Sequence, residues 1–399
     1  MRHTRIILVA LLLVLPACGS DEDPLENTPP PPETGPRMYN YAGTGVKGVG
    51  ETGRLPLDTD LNWPQDITFD PDSALIVVDW GNHRVMGIDR STGQFQQLAG
   101  TSDGVAGEPC SAYPAPCEVG ALDTPLNHPT DVRFDADGKM VLSAWHNAGV
   151  FLVDLSIDAM SRVAGTGRAC YDGDGQAASA SCVSFPSASV RDLQGRLVFT
   201  DQTNLIVRMI DESGVIHTIA GTPPVWDGTR YIPQPGFSGD EGPATSAKFR
   251  FAAATTSGKL CIDAAGNIYI PDTDNHAVRV LDTGGIVHRF AGVDPASPGF
   301  SGDGGPATSA HLNQPRDVAC DADGNIFIAD TGNQVIRMVT PAGVIRTVAG
   351  TPGVTGNGSD NGKLATKTGL SSPFGVAVDH AGNLWIADTN NHRIRVVYR

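Results

Sequence analysis

The chain has 399 residues and a formal net charge of −16, a balance that repels nucleic acid and anionic membrane surfaces and argues against both as partners. Its 47 glycines, 29 prolines and only 18% charged residues suit an all-β chain with many tight turns. Length alone would suggest two or three domains, but an internal repeat overrides that count.

In chain order, Arg2 and Arg5 precede an apolar run from Ile6 to Leu15, followed by Pro16, Ala17 and Cys18. The run is too short for a permanent membrane span and reads as an export signal over residues 1–17. Leu15-Pro16-Ala17-Cys18 resembles the lipobox of bacterial lipoproteins. That resemblance implies a lipid on Cys18 as the sole membrane contact. Gly19 is not the Asp that holds many such proteins at the inner membrane, so the outer membrane or cell surface is implied. Residues 18–37 carry four consecutive prolines and mostly acidic charge. Such a segment cannot bury a core and serves as a tether, reaching roughly 60 Å if it is extended.

From residue 38 onward one unit recurs. An Ala-Gly pair that closes a strand begins at Ala42, Ala99, Ala164, Ala220, Ala291 and Ala349, and a Pro that opens one recurs at Pro64, Pro129, Pro186, Pro315 and Pro373. Each unit holds short period-two runs separated by turn residues, the pattern of strands in hairpins. The chain starts on a lone fourth strand, Met38–Ala42, and ends on a unit that lacks one. A linear array would leave both ends unpaired, whereas a ring pairs the first strand with the last. This predicts a six-bladed β-propeller of four-stranded antiparallel blades over 38–399, sealed by the strand at 38–42. The best copies, Leu312–Gly350 and Leu370–Arg399, run from Pro through Asp-x-x-Gly-Asn to Ala-Asp-Thr-x-Asn, with Asp317 two positions after the Pro in the first and Gly375 there in the second. They resemble the NHL repeat, which implies the same propeller and, in most members, a binding module.

Residues that recur from unit to unit are assigned to the blade itself. These are the Asp at the end of the second strand, the Arg of the third strand, and His83, His276 and His392. Gly-Asp-Gly elements near Asp174, Asp240 and Asp303 could offer oxygens to Ca²⁺, the one cofactor left open, but no copy has the ligand count of a recognised loop and turn structure is the simpler reading. Cys110 with Cys117, and Cys170 with Cys182, are close enough in sequence for local disulfides in an exported protein. Cys261 and Cys320, one position out of register on neighbouring first strands, read as buried thiols. No metal site is assigned, since no Cys-x-x-Cys spacing occurs.

Function is sought at positions that break the repeat and face the channel mouth. The starts of the first strands bring Asp66, Asp131, Arg316 and Asp317 there. The second turns add Trp80, Trp145 and His146 where the pattern has Thr. The longest connection, 222–247, adds Trp226, Tyr231 and Phe237. Acids, one Arg and aromatic faces at a concave rim suit a protein, peptide or polysaccharide partner bound by a monomer. The alternative is a metal-dependent hydrolase or lyase using Ca²⁺ or Zn²⁺. NHL-type lyases imply three axial histidines four residues before each Pro, and only His311 matches.

Overall fold

The computed structural model describes residues 34–108, 118–293 and 297–399. The expected export signal, Cys18, most of the tether, Cys110 and Cys117 lie outside the described residues. Residues 35–399 form one compact unit.

Within it the strands assemble into six antiparallel blades. Blade 1 is built from Asp66–Phe69, Leu75–Asp79, Arg84–Ile88 and Phe95–Ala99. Blades 2, 3 and 5 begin with Pro129–Phe134, Pro186–Arg191 and Pro315–Cys320 and follow the same order. Blade 4 has a first strand of only two residues, Cys261–Ile262. Blade 6 has Pro373–Val378, Leu384–Asp388 and Arg393–Tyr398, and its fourth strand is Arg37–Ala42 from the other end of the chain. Met38 lies opposite Val397 and Ala42 opposite Ile394. Met38 and Ala42 are fully buried, so closure of the ring is packed as well as hydrogen-bonded.

Six apolar clusters fill the spaces between adjacent blades. The one between blades 6 and 1, for example, joins Ala42, Trp385 and Ile394 to Ile67, Val77 and Phe95. Alternation along each strand produces this arrangement, because both faces of a blade meet a neighbour. The outer strands are not left as open edges. Short segments of the connections pair with them in blades 2, 4 and 6, namely Glu118–Val119, Gly242–Pro243 and Lys363–Leu364. In blades 1, 3 and 5 a few backbone bonds do the same work, such as Phe95 N–H to Arg54 O, Ile216 N–H to Gln176 O and Ile345 N–H to Gly305 O.

In five of the six blades recurring polar residues hold the end where the second turns lie. Asp79, Asp201, Asp272, Asp330 and Asp388 are buried at the end of the second strand. Each accepts a backbone N–H from the segment leading into the first strand, as Asn62 donates to Asp79 at 2.7 Å and Asn313 to Asp330 at 2.7 Å. Each also accepts the turn Asn and pairs with the buried Arg of the third strand, for example Arg395 with Asp388 at 3.1 Å. The Gly-Asp-Gly acids complete these sites from the other side, with Asp174 2.8 Å from Arg208 and Asp303 2.7 Å from Arg337.

The two cysteine pairs differ from the sequence reading in one respect. Cys170 and Cys182 form the expected local disulfide. Cys261 and Cys320 are not thiols; they are bridged, with Cα atoms 5.9 Å apart. One position of register does not separate them, because first strands of adjacent blades converge at the axis and bring the Cα atoms within ordinary disulfide range.

Candidate functional site

The axial residues are best located by counting back four positions from the Asp that opens each first hairpin turn. Those positions are Asp66, Asp131, Ala188, Lys259, Asp317 and Gly375. The three acids were expected at the channel mouth, but they lie below it and are fully buried. Each ties its blade to the next: Asp66 accepts Val132 N–H at 3.1 Å, Asp131 accepts Ser189 N–H at 2.9 Å, and Asp317 accepts Val376 N–H at 2.7 Å. Arg133 bridges Asp66 and Asp131 at 2.9 and 3.0 Å. Lys259 reaches across the axis to Asp66 at 3.0 Å and to the carbonyl of Gln65 at 2.6 Å. Sequence reasoning overlooked Lys259, because blade 4 lacks the Pro used to find its start; the turn acid Asp263 would have located it.

Burial acts on all three carboxyls, and the cations decide between them. Arg133 and Lys259 outweigh burial at Asp66 and hold it below the usual carboxylate range. Burial wins at Asp131, which is pushed up to about 7 with the Asp66 charge adding to the effect, and at Asp317, pushed up to about 6.

The mouth above these residues is filled. From Arg250 to Lys259 the chain has five residues more than from Asn313 to Asp317, although Arg250 and Asn313 make the same backbone bond to the second-strand acid. The extra residues fold over the axis. Gln202 donates to the carbonyls of Ala252, at 2.5 Å, and Thr255. Thr256 bonds Gln65 on the far side of the ring. Arg316 is spent on the same insertion: its guanidinium donates to Thr255 Oγ1 and Thr256 O and lies 4.4 Å from the Phe374 ring. So Asp66, Asp131, Arg316 and Asp317 stand together, but as a closed internal network.

Trp80, Trp145 and His146 do lie on the face of the second turns, and the repeat explains why they are exceptional. In blades 4, 5 and 6 the turn Thr donates to the carbonyl of the next blade: Thr273 to Pro315, Thr331 to Pro373 and Thr389 to Pro64, each at 2.7 Å. Trp80 and Trp145 occupy that position in blades 1 and 2 and give up the bond. Neither indole N–H has a partner among the described residues.

Around them stand the residues that precede each Pro. Trp63, His128, Phe185, Gln314 and Ser372 all have positive φ, from 47 to 55°, a conformation uncommon for side chains of this size. It is held from the preceding blade. His83 Nδ1 accepts His128 N–H at 3.0 Å, His276 does so for Gln314 at 3.1 Å, and His392 for Trp63 at 3.2 Å. The three repeated histidines therefore have the structural role read from the sequence. Where the pre-proline residue is aromatic, in three consecutive blades, it joins the turn residues in a continuous strip. Ring centroids follow from Trp63 to Trp80 at 6.2 Å, Trp80 to His128 at 3.9 Å, His128 to His146 at 4.6 Å, and Trp145 to Phe185 at 5.1 Å. Trp145 and His146 stack at 4.3 Å. Sequence reasoning missed Trp63, His128 and Phe185, though an aromatic before Pro in successive units was there to be read.

The strip is uncharged. His128 and His146 face each other with Nδ1 atoms 2.6 Å apart, so one donates and the other accepts. Burial, with His83 and His146 adding, pushes His128 down to about 3, and His83 and His146 also fall below the usual imidazole range, chiefly through burial. Lys47 Nζ lies 3.8 Å from the centroid of the exposed Trp63 ring.

The long connection divides its aromatic residues. Trp226 and Tyr231 pair across a two-stranded hairpin, 54% and 38% exposed, with Tyr171 packed behind Tyr231. Phe237 instead lies against the Arg279 guanidinium at 4.8 Å, as Phe300 does on Arg337 in the next blade, so it belongs to the blade framework.

Comparison with known proteins agrees with the repeat. Residues 370–397 match the NHL repeat model, and 291–359 match the Teneurin NHL domain model. The chain is 27% identical to NHL repeat-containing protein 2 of Bos taurus over 84% of its own length and 46% of the relative's. It is 28% identical to human Teneurin-1 over 59% of its length and 9% of the relative's. It spans less than half the length of these relatives. Among solved structures, an auxiliary nutrient binding protein from Bacteroides thetaiotaomicron superposes with a TM-score of 0.63 at 14% identity, covering 92% of this chain and 77% of the other. A second from Bacteroides ovatus gives 0.58 at 16%, covering 92% and 77%. At these identities the likeness is one of fold.

Proposed function

We propose, for a chain that carries NHL repeats on a closed six-bladed propeller, that it is a ligand-binding module whose recognition surface is the aromatic strip over blades 1 to 3. One observation carries this reading. Trp80 and Trp145 break the repeat at the very position where Thr would fasten neighbouring blades, so these indoles are not there for the blade. Two solved propellers of similar fold are described as auxiliary nutrient binding proteins, which supports a binding role. Metal-dependent hydrolysis at the axial acids is less well supported, because Lys259 and Arg133 already pair with two of the three carboxylates that would take the ion, Asp66 and Asp131.

The test is capture. Native mass spectrometry of the purified protein, after exposure to a mixed peptide and oligosaccharide digest, is expected to show bound ligand that Trp80→Thr loses. The variant should fold normally, since Thr restores the bond made in blades 4 to 6. Equal capture by both proteins would refute the assignment. We also place the module at the bacterial outer membrane or cell surface, held by lipid on Cys18. Radiolabelled fatty acid should enter the wild-type chain and not Cys18→Ala.

A further inference from the structure

We infer that the ligand of this strip is a neutral oligosaccharide, an inference that rests on the recognition surface proposed above and narrows it to one chemistry. The strip lines up aromatic rings, tilted on one another, along three blades from Trp63 to Phe185, and so suits a ligand with several successive apolar faces. It also holds two buried hydrogen-bond donors at the ring edges. The indole N–H groups of Trp80 and Trp145 have no partner among the described residues, and Trp145 is only 4% exposed. A buried donor without a partner is costly and marks a place for an acceptor from outside. A pyranose joins both properties, with C–H faces that stack on aromatic rings and hydroxyls around its edge.

Other chemistries fit less well. A polyanion meets a chain of net charge −16 and a strip whose imidazoles stay neutral. A cation is repelled by the Lys47 ammonium seated over one face of the Trp63 ring. An extended peptide binds best by adding to a sheet edge, and the outer strands here are already flanked by their own connections.

Tryptophan fluorescence and calorimetry on the intact protein would test this with maltohexaose, cellohexaose, laminarihexaose and chitohexaose, and with polygalacturonate as the charged control. At least one neutral hexasaccharide should bind saturably. Trp63→Ala and Trp80→Thr should each weaken it by about tenfold or more, and polygalacturonate should be the weaker ligand. The inference is overturned if no neutral hexasaccharide binds, if both substitutions leave affinity unchanged, or if polygalacturonate binds more tightly. Capture of a peptide that Trp80→Thr abolishes, with no saccharide binding, would sink the saccharide and leave the recognition surface standing. Loss of neither would sink both.

Discussion

His128 shows how one residue serves the framework and the surface together. Its backbone N–H is held by His83 and its ring meets Trp80 and His146. Because its folded pKa is depressed toward 3, the stability tied to the neutral ring is present above pH 6.5. It is lost as pH falls, since the unfolded chain takes up a proton that the folded one refuses. Several acids act in the opposite sense. Asp131 near 7, and Asp201, Asp272, Asp317 and Asp330 near 6, favour the folded state at low pH and lose that contribution as pH rises through those values. The contribution of His128 is therefore best read as a difference between two proteins that share those acids. His128→Phe should show a smaller drop in melting temperature between pH 6.5 and 4 than the parent. Parallel pH profiles would contradict the buried neutral imidazole.

At the scale of the element, the strand Arg37–Ala42 has no blade of its own and is paired with Arg393–Tyr398 and Lys363–Leu364. Deleting residues 34–44 removes the buried Met38 and Ala42 and exposes the third strand of blade 6. Scanning calorimetry should record a fall of about 10 °C or more; a truncated protein that melts like the parent would refute closure by this strand. This element was legible in advance, because the offset between the lone first strand and the incomplete last unit can be counted from the Ala-Gly pairs. The insertion between Arg250 and Lys259 was not. It has no polar pattern of its own, and its effect depends on Gln65, Gln202 and Arg316, which lie far apart in the chain. For the same reason Asp66, Asp131 and Asp317 could be placed near the axis from their register, while the cover over them could not. Trp80 and Trp145 were legible as departures from a repeat, whereas the αL position that gathers Trp63, His128 and Phe185 beside them appears only once neighbouring blades are in place.

At the scale of the whole molecule, blades 1 and 4 stand opposite each other in the ring of six, and Lys259 joins them. Replacing it by Met leaves Asp66 with Arg133 alone in a buried site, and losing one partner of such a group costs about 3–5 kcal/mol. Chemical denaturation should show that loss in Lys259→Met and a partial recovery in Lys259→Met with Asp66→Asn. A neutral single substitution would show that the cross-axis contact carries no weight. Circular folds of this kind are ordinarily fastened only where their two ends meet, so that a break there lets the circle unroll. Here the ammonium of Lys259 and the Thr256–Gln65 bond form a strut along the diameter. Such a hub ties opposite sides of the wheel across its bore, at a place remote from the seam.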